Sequence, residues 1–295
     1  MSVISPPQAR TSDARSARPF RRILTIAWLT FHEARRRKVL YAALGLGLLF
    51  LLAYGVGLYN LRDIDEMSGN PFLRAEFSNF LTLAGLYVVN FLMVMMTVLS
   101  SVDSLSGEIR SGTIQTLATK PLRRWEIVIG KWLGFAAMLL LYLLIMAGGI
   151  LLETRFLVGY TPANVLAALA LLGLNVLLLL AVALAASSRF STLASGTLLF
   201  GLYGVTFVAS WIEQIGTLLE NQSAVNIGIV ASLLLPSEAL WRRAAHEMSS
   251  PLSSAFDISP FSALSVPSPA MVLYALLFTT LMLALAIRLF TTRDL

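Results

Sequence analysis

Six long, almost uncharged stretches of this chain decide what it can fold into. Each is close to the roughly 20 apolar residues that a helix needs to cross about 30 Å of hydrocarbon. Charged residues make up only 13% of the sequence and mean hydropathy is +0.77, whereas soluble domains carry about 25% charged residues. We therefore predict an all-α, polytopic helical membrane protein with a single transmembrane domain over residues 19–295. The predicted spans lie near residues 39–59, 79–101, 132–152, 164–187, 191–212 and 269–289.

A further apolar stretch, residues 221–237, is shorter than these. It holds too few strongly apolar residues to cross a bilayer, which favours a re-entrant or interfacial segment over a seventh span. The sequence that follows, PSEALWRRAAHEM, combines an apolar stripe with charged residues. It predicts an amphipathic helix at the outer membrane interface, or a platform for an extracytoplasmic partner. The stripe consists of Leu240, Trp241, Ala244, Ala245 and Met248.

The N-terminal region divides into a tail and a helix. Residues 1–18 are rich in serine, arginine and proline, which predicts a disordered basic tail. Residues 19–37 predict an amphipathic helix on the inner leaflet, with basic residues against anionic headgroups. A twin-arginine export signal at Arg21-Arg22 is the alternative, but the hydrophobic run that follows is too long and lacks a small-residue cleavage site. The helical stripe is Ile23, Ala27, Thr30 and Ala34, with Leu24, Trp28 and Phe31 beside it.

The distribution of lysine and arginine orients the spans. If the N-terminus is inside, 17 of the 22 basic residues fall in segments on the same side. The five others are Arg62, Arg74, Arg155, Arg242 and Arg243. Because cytoplasmic loops are enriched in basic residues, we expect both termini and residues 103–131 to be cytoplasmic and the protein to lie in the inner membrane.

The sequence contains little that could perform catalysis. It has no cysteine, and its two histidines are expected on opposite sides of the membrane, so they cannot share a metal. Gly130-Lys131 lacks the other residues of a phosphate-binding loop. Ionisable residues are nearly absent from the span interiors. Asn90 and Asn175 lie mid-span, and we expect each to make an interhelical hydrogen bond in preference to lining a substrate path. We predict no cofactor, no metal, no nucleic-acid partner and no enzymatic activity.

One polar segment between the second and third spans stands out. Apolar residues recur in it at helical intervals, Gly112 predicts a bend and Pro121 a stop. The pattern is typical either of a solvated loop or of a short helix that docks into a groove on a cytoplasmic partner. The apolar positions are Leu105, Ile109, Ile114 and Leu117. The predicted membrane-surface anchors are Arg123, Arg124, Trp125 and Lys131.

This segment resembles a known family signature. The arrangement Glu108…Gly112-Thr113…Leu117…Pro121…Glu126…Gly130-Lys131 is similar to the region between spans two and three of type-two ABC exporter permeases. The resemblance covers residues 20–295 and includes the C-terminal sequence Phe290-Thr291-Thr292-Arg293-Asp294. It is strongest to permeases associated with the maturation of multi-copper enzymes.

The resemblance implies a non-catalytic subunit with an N-terminal elbow helix and a cytoplasmic coupling helix. Such a permease pairs with a second copy or a paralogue and binds two copies of a separate ABC ATPase. The apolar positions of the segment would fill a groove on the ATPase. Polar contacts would come from Glu108 and Arg110, shape from Gly112 and Pro121, and Thr113 belongs to the same signature.

Two other classes of function remain open from the sequence. A membrane scaffold or assembly factor could use the same segment to recruit cytoplasmic and extracytoplasmic proteins without transport. A secondary transporter would usually show repeated halves, broken helices and buried charges. An ATPase gene beside this one would favour the ABC permease, and no substrate can be read from the leucine- and alanine-rich spans.

Overall fold

The computed structural model describes residues 19–61, 71–110, 123–249 and 265–293, and the predicted tail lies outside them. All regular structure within these ranges is helical. The helices are α1 (Pro19–Arg36), α2 (Lys38–Leu61), α3 (Pro71–Ser101), α4 (Asp103–Arg110), α5 (Arg124–Glu153), α6 (Val165–Arg189), α7 (Thr192–Leu218), α8 (Gln222–Leu234), α9 (Ser237–Met248) and α10 (Pro269–Thr291), and a π-helical turn, Thr154–Val158, extends α5.

Six of these helices are long and apolar enough to cross a membrane, which confirms the predicted architecture. They are α2, α3, α5, α6, α7 and α10. The largest boundary differences are at the starts of α3 and α5, which begin at Pro71 and Arg124 rather than near residues 79 and 132. The first turns of α5 pack against α1 instead of lipid, so the helix accommodates charged residues there.

The bundle has a central group of spans and a peripheral group. In an apolar stretch of 18 residues taken from each span, the buried share is 61% in α3, 50% in α5 and 56% in α6. The same share is only 11% in α2 and 17% in α10. The core between the central spans includes Leu86, Met93, Leu139, Met146 and Leu180, all at most 1% exposed. The peripheral helices therefore present apolar faces that a bilayer would cover.

A polar pair joins two of the central spans. Asn175 Nδ2 donates a hydrogen bond to Asn90 Oδ1 over 3.0 Å, and both residues are almost fully buried. This confirms the expectation that each asparagine makes an interhelical hydrogen bond, and the structure identifies each as the other's partner. Such bonds contribute about 1 kcal/mol in membranes and fix the register of the helices that they join.

A helical hairpin, formed by α8 and α9, lies at the end of the bundle opposite α1. The chain turns back immediately after α7, through Glu220 with φ 54° and Asn221, whose side chain caps the first turn of α8. Asparagine is favoured at such caps because its side-chain oxygen accepts from backbone N–H groups that the helix leaves unpaired.

Helix α8 runs antiparallel to α7 into the bundle. Gly216 of α7 lies against Ala224, and farther along Gly228 of α8 lies against Glu213. The absence of side chains on these glycines lets the two backbones approach closely. Because 13 residues rise only about 20 Å, α8 ends beside the middle of α7 instead of crossing the membrane.

Helix α9 then returns towards the end where α8 began. It is bent by 107° from α8. The Trp241 ring lies 5.1 Å from the Tyr87 ring in the middle of α3, and Asn164 Nδ2, just before α6, donates to Glu247 Oε2 over 3.1 Å. Residues 222–248 thus form a re-entrant hairpin, which selects one of the alternatives that the sequence left open.

The interfacial position predicted for α9 is wrong. Its apolar stripe is at most 3% exposed. Its first two charged residues are buried as well: Glu238 is 4% exposed and Arg242 is 3% exposed. The helix packs against α6, α7, α3 and α10, so its apolar stripe faces protein, and an extracytoplasmic partner stays a prediction. These buried charges lie in α9 and not in the interior of a span, so they do not bear on the expectation made for the spans.

Candidate coupling site at the α1 end of the bundle

Helix α4 is the described part of the segment that was predicted to dock a partner. It follows α3 after the single residue Val102 and packs against α6, α3 and α7. Leu105 is fully buried in the core that also holds Ile127 and Val128. This corrects the prediction for Leu105, because the first turn of α4 folds against the chain's own helices and leaves that side chain unavailable to a partner.

The other predicted docking positions are described only in part. The backbone of Glu108, Ile109 and Arg110 continues α4, and their side chains lie outside the described residues. Gly112, Thr113, Ile114, Leu117 and Pro121 lie outside the described residues entirely. Their roles stay predictions.

Lys131 joins α5 to α4. The residue is 5% exposed, and its Nζ donates a hydrogen bond to the backbone oxygen of Ser104 over 2.8 Å. Lys131 is therefore not the membrane-surface anchor that the sequence predicted. Burying an ammonium group is costly unless it is hydrogen-bonded, so this contact favours one position of α4 relative to α5.

A second set of bonds joins α4 to α7. Thr192 Oγ1 donates to Asp103 Oδ1 over 2.9 Å and lies 2.9 Å from Ser106 Oγ. Asp103 begins α4, where a negative charge is favoured by the helix dipole. Its Oδ2 also lies 4.0 Å from Arg37 Nη1, between α1 and α2, although partial exposure makes this ion pair weak.

Glu126 organises the start of α5. Its Oε2 accepts a hydrogen bond from the Arg123 backbone N–H over 3.0 Å and lies 4.0 Å from Arg22 Nη1 of α1. Glu126 is 1% exposed, whereas Arg123 is exposed and Trp125 is half-buried. The carboxylate therefore caps α5 and attracts α1 to the same place.

Arg124 binds the end of the last helix. Its Nη1 donates to the backbone oxygens of Thr291 and Arg293 over 2.9 and 2.8 Å. Arg293 Nη1 in turn donates to the oxygen of Ser188, in the last turn of α6, over 2.9 Å. Basic groups satisfy carbonyls that helix ends leave unpaired. Arg124 thus contacts protein, and the anchoring at the membrane surface that the sequence indicated for it stays a prediction.

Helix α1 packs along the first turns of α5. A Cβ atom at Gly130 would lie 2.6 Å from Ile26 Cβ, and one at Gly134 would lie 2.6 Å from the Ala27 backbone oxygen. The stripe that was expected to rest on the inner leaflet thus faces α5. Leu24 and Trp28, beside that stripe, stay exposed, as do Phe20 and Leu29, so α1 keeps apolar side chains available to lipid.

Comparison with known families assigns this bundle. A family model described as ABC-2 family transporter protein matches residues 24–295, from within α1 to the end of the chain. The chain belongs to the ABC-2 transporter family. Proteins of this family are permeases, the membrane subunits of ABC transporters, and are typically non-catalytic. No curated protein matches the sequence.

The close approach of α1 and α5 gives a testable prediction for the permease. Gly134→Ala should lower the unfolding free energy by about 1–3 kcal/mol, because the added methyl group would meet the α1 backbone and force the helices apart. Gly148→Ala is the matched control, since a Cβ there meets nothing within 4 Å. Thermal unfolding in detergent would compare the variants, and equal midpoints would show that α1 does not depend on this contact.

The contacts at this end make a rigid platform in the permease. Helix α4 is bonded to α5 and α7, α5 is bonded to α10, and α1 packs on α5. Short helices fixed to several packed elements move with those elements as rigid bodies. A force applied to α4 would therefore reach at least two spans directly.

Sequence reasoning missed several residues of this platform. Asp103 and Thr192 meet across 89 positions of sequence, and Ser188 meets Arg293 across 105. No local pattern marks such pairs. Glu126 was visible in the family signature, but its burial was not, because a carboxylate near a membrane surface normally suggests solvent.

Proposed function

We propose that the permease exports or extrudes a substrate across the inner membrane with ATP hydrolysed by a separate ABC ATPase. The ATPase would dock on residues 103–131, the segment that begins with α4. The observation that carries this proposal is the bonding of α4 to both α5 and α7, because those contacts would transmit movement of a docked partner to the spans.

The transporter would contain two permeases and two ATPases. Family membership supports an ATPase partner and a bilayer setting. Six spans form half of a typical exporter pathway, so a second permease copy or a paralogue would complete it. ATP binding would bring the two ATPases together, and the docked segments would move with them and displace the attached spans.

The proposed assembly is tested by purifying the permease from native membranes under mild conditions. We expect an ABC ATPase to co-purify in equal number with the permease, and its ATP hydrolysis to change when the two are reconstituted together. Recovery of other partners without any ATPase would overturn the proposal in favour of a scaffold.

The α1 end would face the cytoplasm. Arg124 places the start of α5 and the end of α10 at one end of the bundle, and 17 of the 22 basic residues are expected on that side. The positive-inside rule then assigns both termini and residues 103–131 to the cytoplasm.

Cysteine labelling tests this topology cleanly because the chain has no cysteine. We expect Ser111→Cys to resist an impermeant thiol reagent added to intact cells and to react after permeabilisation. Gln222→Cys, at the exposed start of α8 on the opposite end, should react in intact cells and serves as the control. The reverse pattern would invert the protein in the membrane.

A further inference from the structure

The re-entrant hairpin encloses a carboxyl group with an incomplete set of contacts. Glu238 lies in the first turn of α9 and is 4% exposed. The Tyr203 hydroxyl of α7 donates a hydrogen bond to it, and the Arg242 guanidinium, one helical turn along α9, acts on it through its charge. Its Oε1 atom has no hydrogen-bond partner among the described residues.

The nearest basic residue is already committed to another carboxylate. Arg242 Nη1 and Nη2 donate to the two oxygens of Glu213 over 2.6 and 2.9 Å, a bidentate pair in which both side chains are at most 4% exposed. Ser265 Oγ donates to Glu213 Oε1 over 2.7 Å. This pair is neutral as a unit, so a negative charge on Glu238 would remain without compensation.

The other elements packed around α9 supply no additional positive charge at this depth. Helix α3 contributes the neutral Tyr87 and α7 contributes Tyr203 and Glu213, whereas α8 carries no ionisable residue. On α6 the ionisable residue is Arg189, its last residue, at the α1 end. On α10 they are Tyr274 and Arg288, and Arg288 lies in the last turn, also at the α1 end.

We propose that Glu238 is a proton-binding site, and that the seating of the re-entrant hairpin is linked to pH through it. An enclosed carboxyl group with few donors and no free counter-ion is more stable as the neutral acid. A proton is the ligand that completes the site without requiring additional space. To lose the proton, the carboxyl group must be hydrated. It becomes hydrated when α9 moves outward, away from α1 and towards the end of the bundle at which α8 begins.

The sign of the linkage follows from the state that is buried. The packed hairpin favours the neutral acid, so it binds a proton more tightly than an exposed glutamate does. Packing is therefore most stable below the ordinary pKa of glutamate, and it loses stability as the pH rises from there through the raised pKa of Glu238 in the packed hairpin. Glu247, in the last turn of α9, pairs with Arg243 over 2.9 Å at partial exposure and lies outside this enclosed site, so it supplies the matched control.

Infrared spectroscopy of the full-length permease, with isotope-labelled glutamate, tests protonation directly. At neutral pH we expect the carbonyl band of a protonated glutamic acid, which Glu238→Gln removes and Glu247→Gln retains. Glu238→Met supplies the same comparison if the glutamine variant folds poorly. Absence of the band from the unaltered protein overturns the proposal, as does its persistence in both Glu238 variants. Either result would mean that Glu238 is ionised. Its counter-ion would then be Arg242, whose Nε atom makes no hydrogen bond among the described residues.

Thermal unfolding tests the linkage. In a pH series from acidic to alkaline, the midpoint of the unaltered protein should fall relative to that of Glu238→Gln, whose amide stays neutral. Glu247→Gln should follow the unaltered protein. Parallel pH curves for the unaltered protein and Glu238→Gln would overturn the linkage between the proton and the hairpin.

Discussion

Arg242→Met should destabilise the permease by about 3–5 kcal/mol, because it leaves Glu213 buried without its partner. The side chains of this pair are 4% and 3% exposed, and the two bonds between them are 2.6 and 2.9 Å long. The loss should be concentrated in the re-entrant hairpin, since the pair joins α9 to α7. Unfolding in detergent with increasing denaturant would measure it.

The neighbouring Arg243→Met is the control for this prediction. Arg243 pairs with Glu247 over 2.9 Å, but both side chains are more than 20% exposed. Exposed pairs contribute about 0–1 kcal/mol, so this variant should unfold close to the original protein. A second comparison is Glu213→Leu combined with Arg242→Met, which removes both charges and should recover much of the loss. If Arg242→Met and Arg243→Met unfold alike, the buried pair does not hold the hairpin.

The second large effect is expected in assembly. Replacing Ile114 and Leu117 together by glutamate should weaken binding of the ATPase by roughly 3–6 kcal/mol, because each apolar side chain contributes about 1.5–3 kcal/mol when buried. Each 1.4 kcal/mol is a tenfold change in affinity, so the ATPase should be lost on purification. The spans should insert normally because their sequences are unchanged.

The control for this variant carries the same charges in the same segment. Gln115→Glu with Thr116→Glu adds two carboxylates at polar positions between the two apolar ones, and we expect this variant to retain its ATPase. Membrane levels of both variants should match the unaltered protein. Retention of the ATPase by both would mean that the segment is a solvated loop.

The sequence identified the membrane architecture because that architecture depends on local composition. A run such as 132–152 must leave water whatever it packs against, and its length then fits a span. The helical spacing of α1 and the interhelical hydrogen bonding of Asn90 and Asn175 were predictable for related reasons: an amphipathic stripe needs a cover, and an amide inside a bilayer needs a partner. The family signature added the coupling segment.

The roles of individual charged residues were decided by tertiary structure. Lys131 and Arg124 follow the pattern of surface anchors, yet they bind carbonyls of α4 and α10. Their side chains are long enough to reach either lipid headgroups or protein, and local sequence does not indicate which is nearer. Leu105 shows the same limit, because a helical stripe does not state whether its partner is the chain itself or another protein.

The hairpin shows most clearly what the sequence determined and what the fold decided. The sequence determined that residues 221–237 are too short to cross the membrane and that α9 has one apolar stripe. Only the tertiary structure placed α9 inside the bundle, because Glu213, 29 positions before Arg242, neutralises the charge that otherwise holds such a helix at the surface. A charged residue enters the interior when its partner is already there, and that pairing between distant segments exists only after the chain has folded.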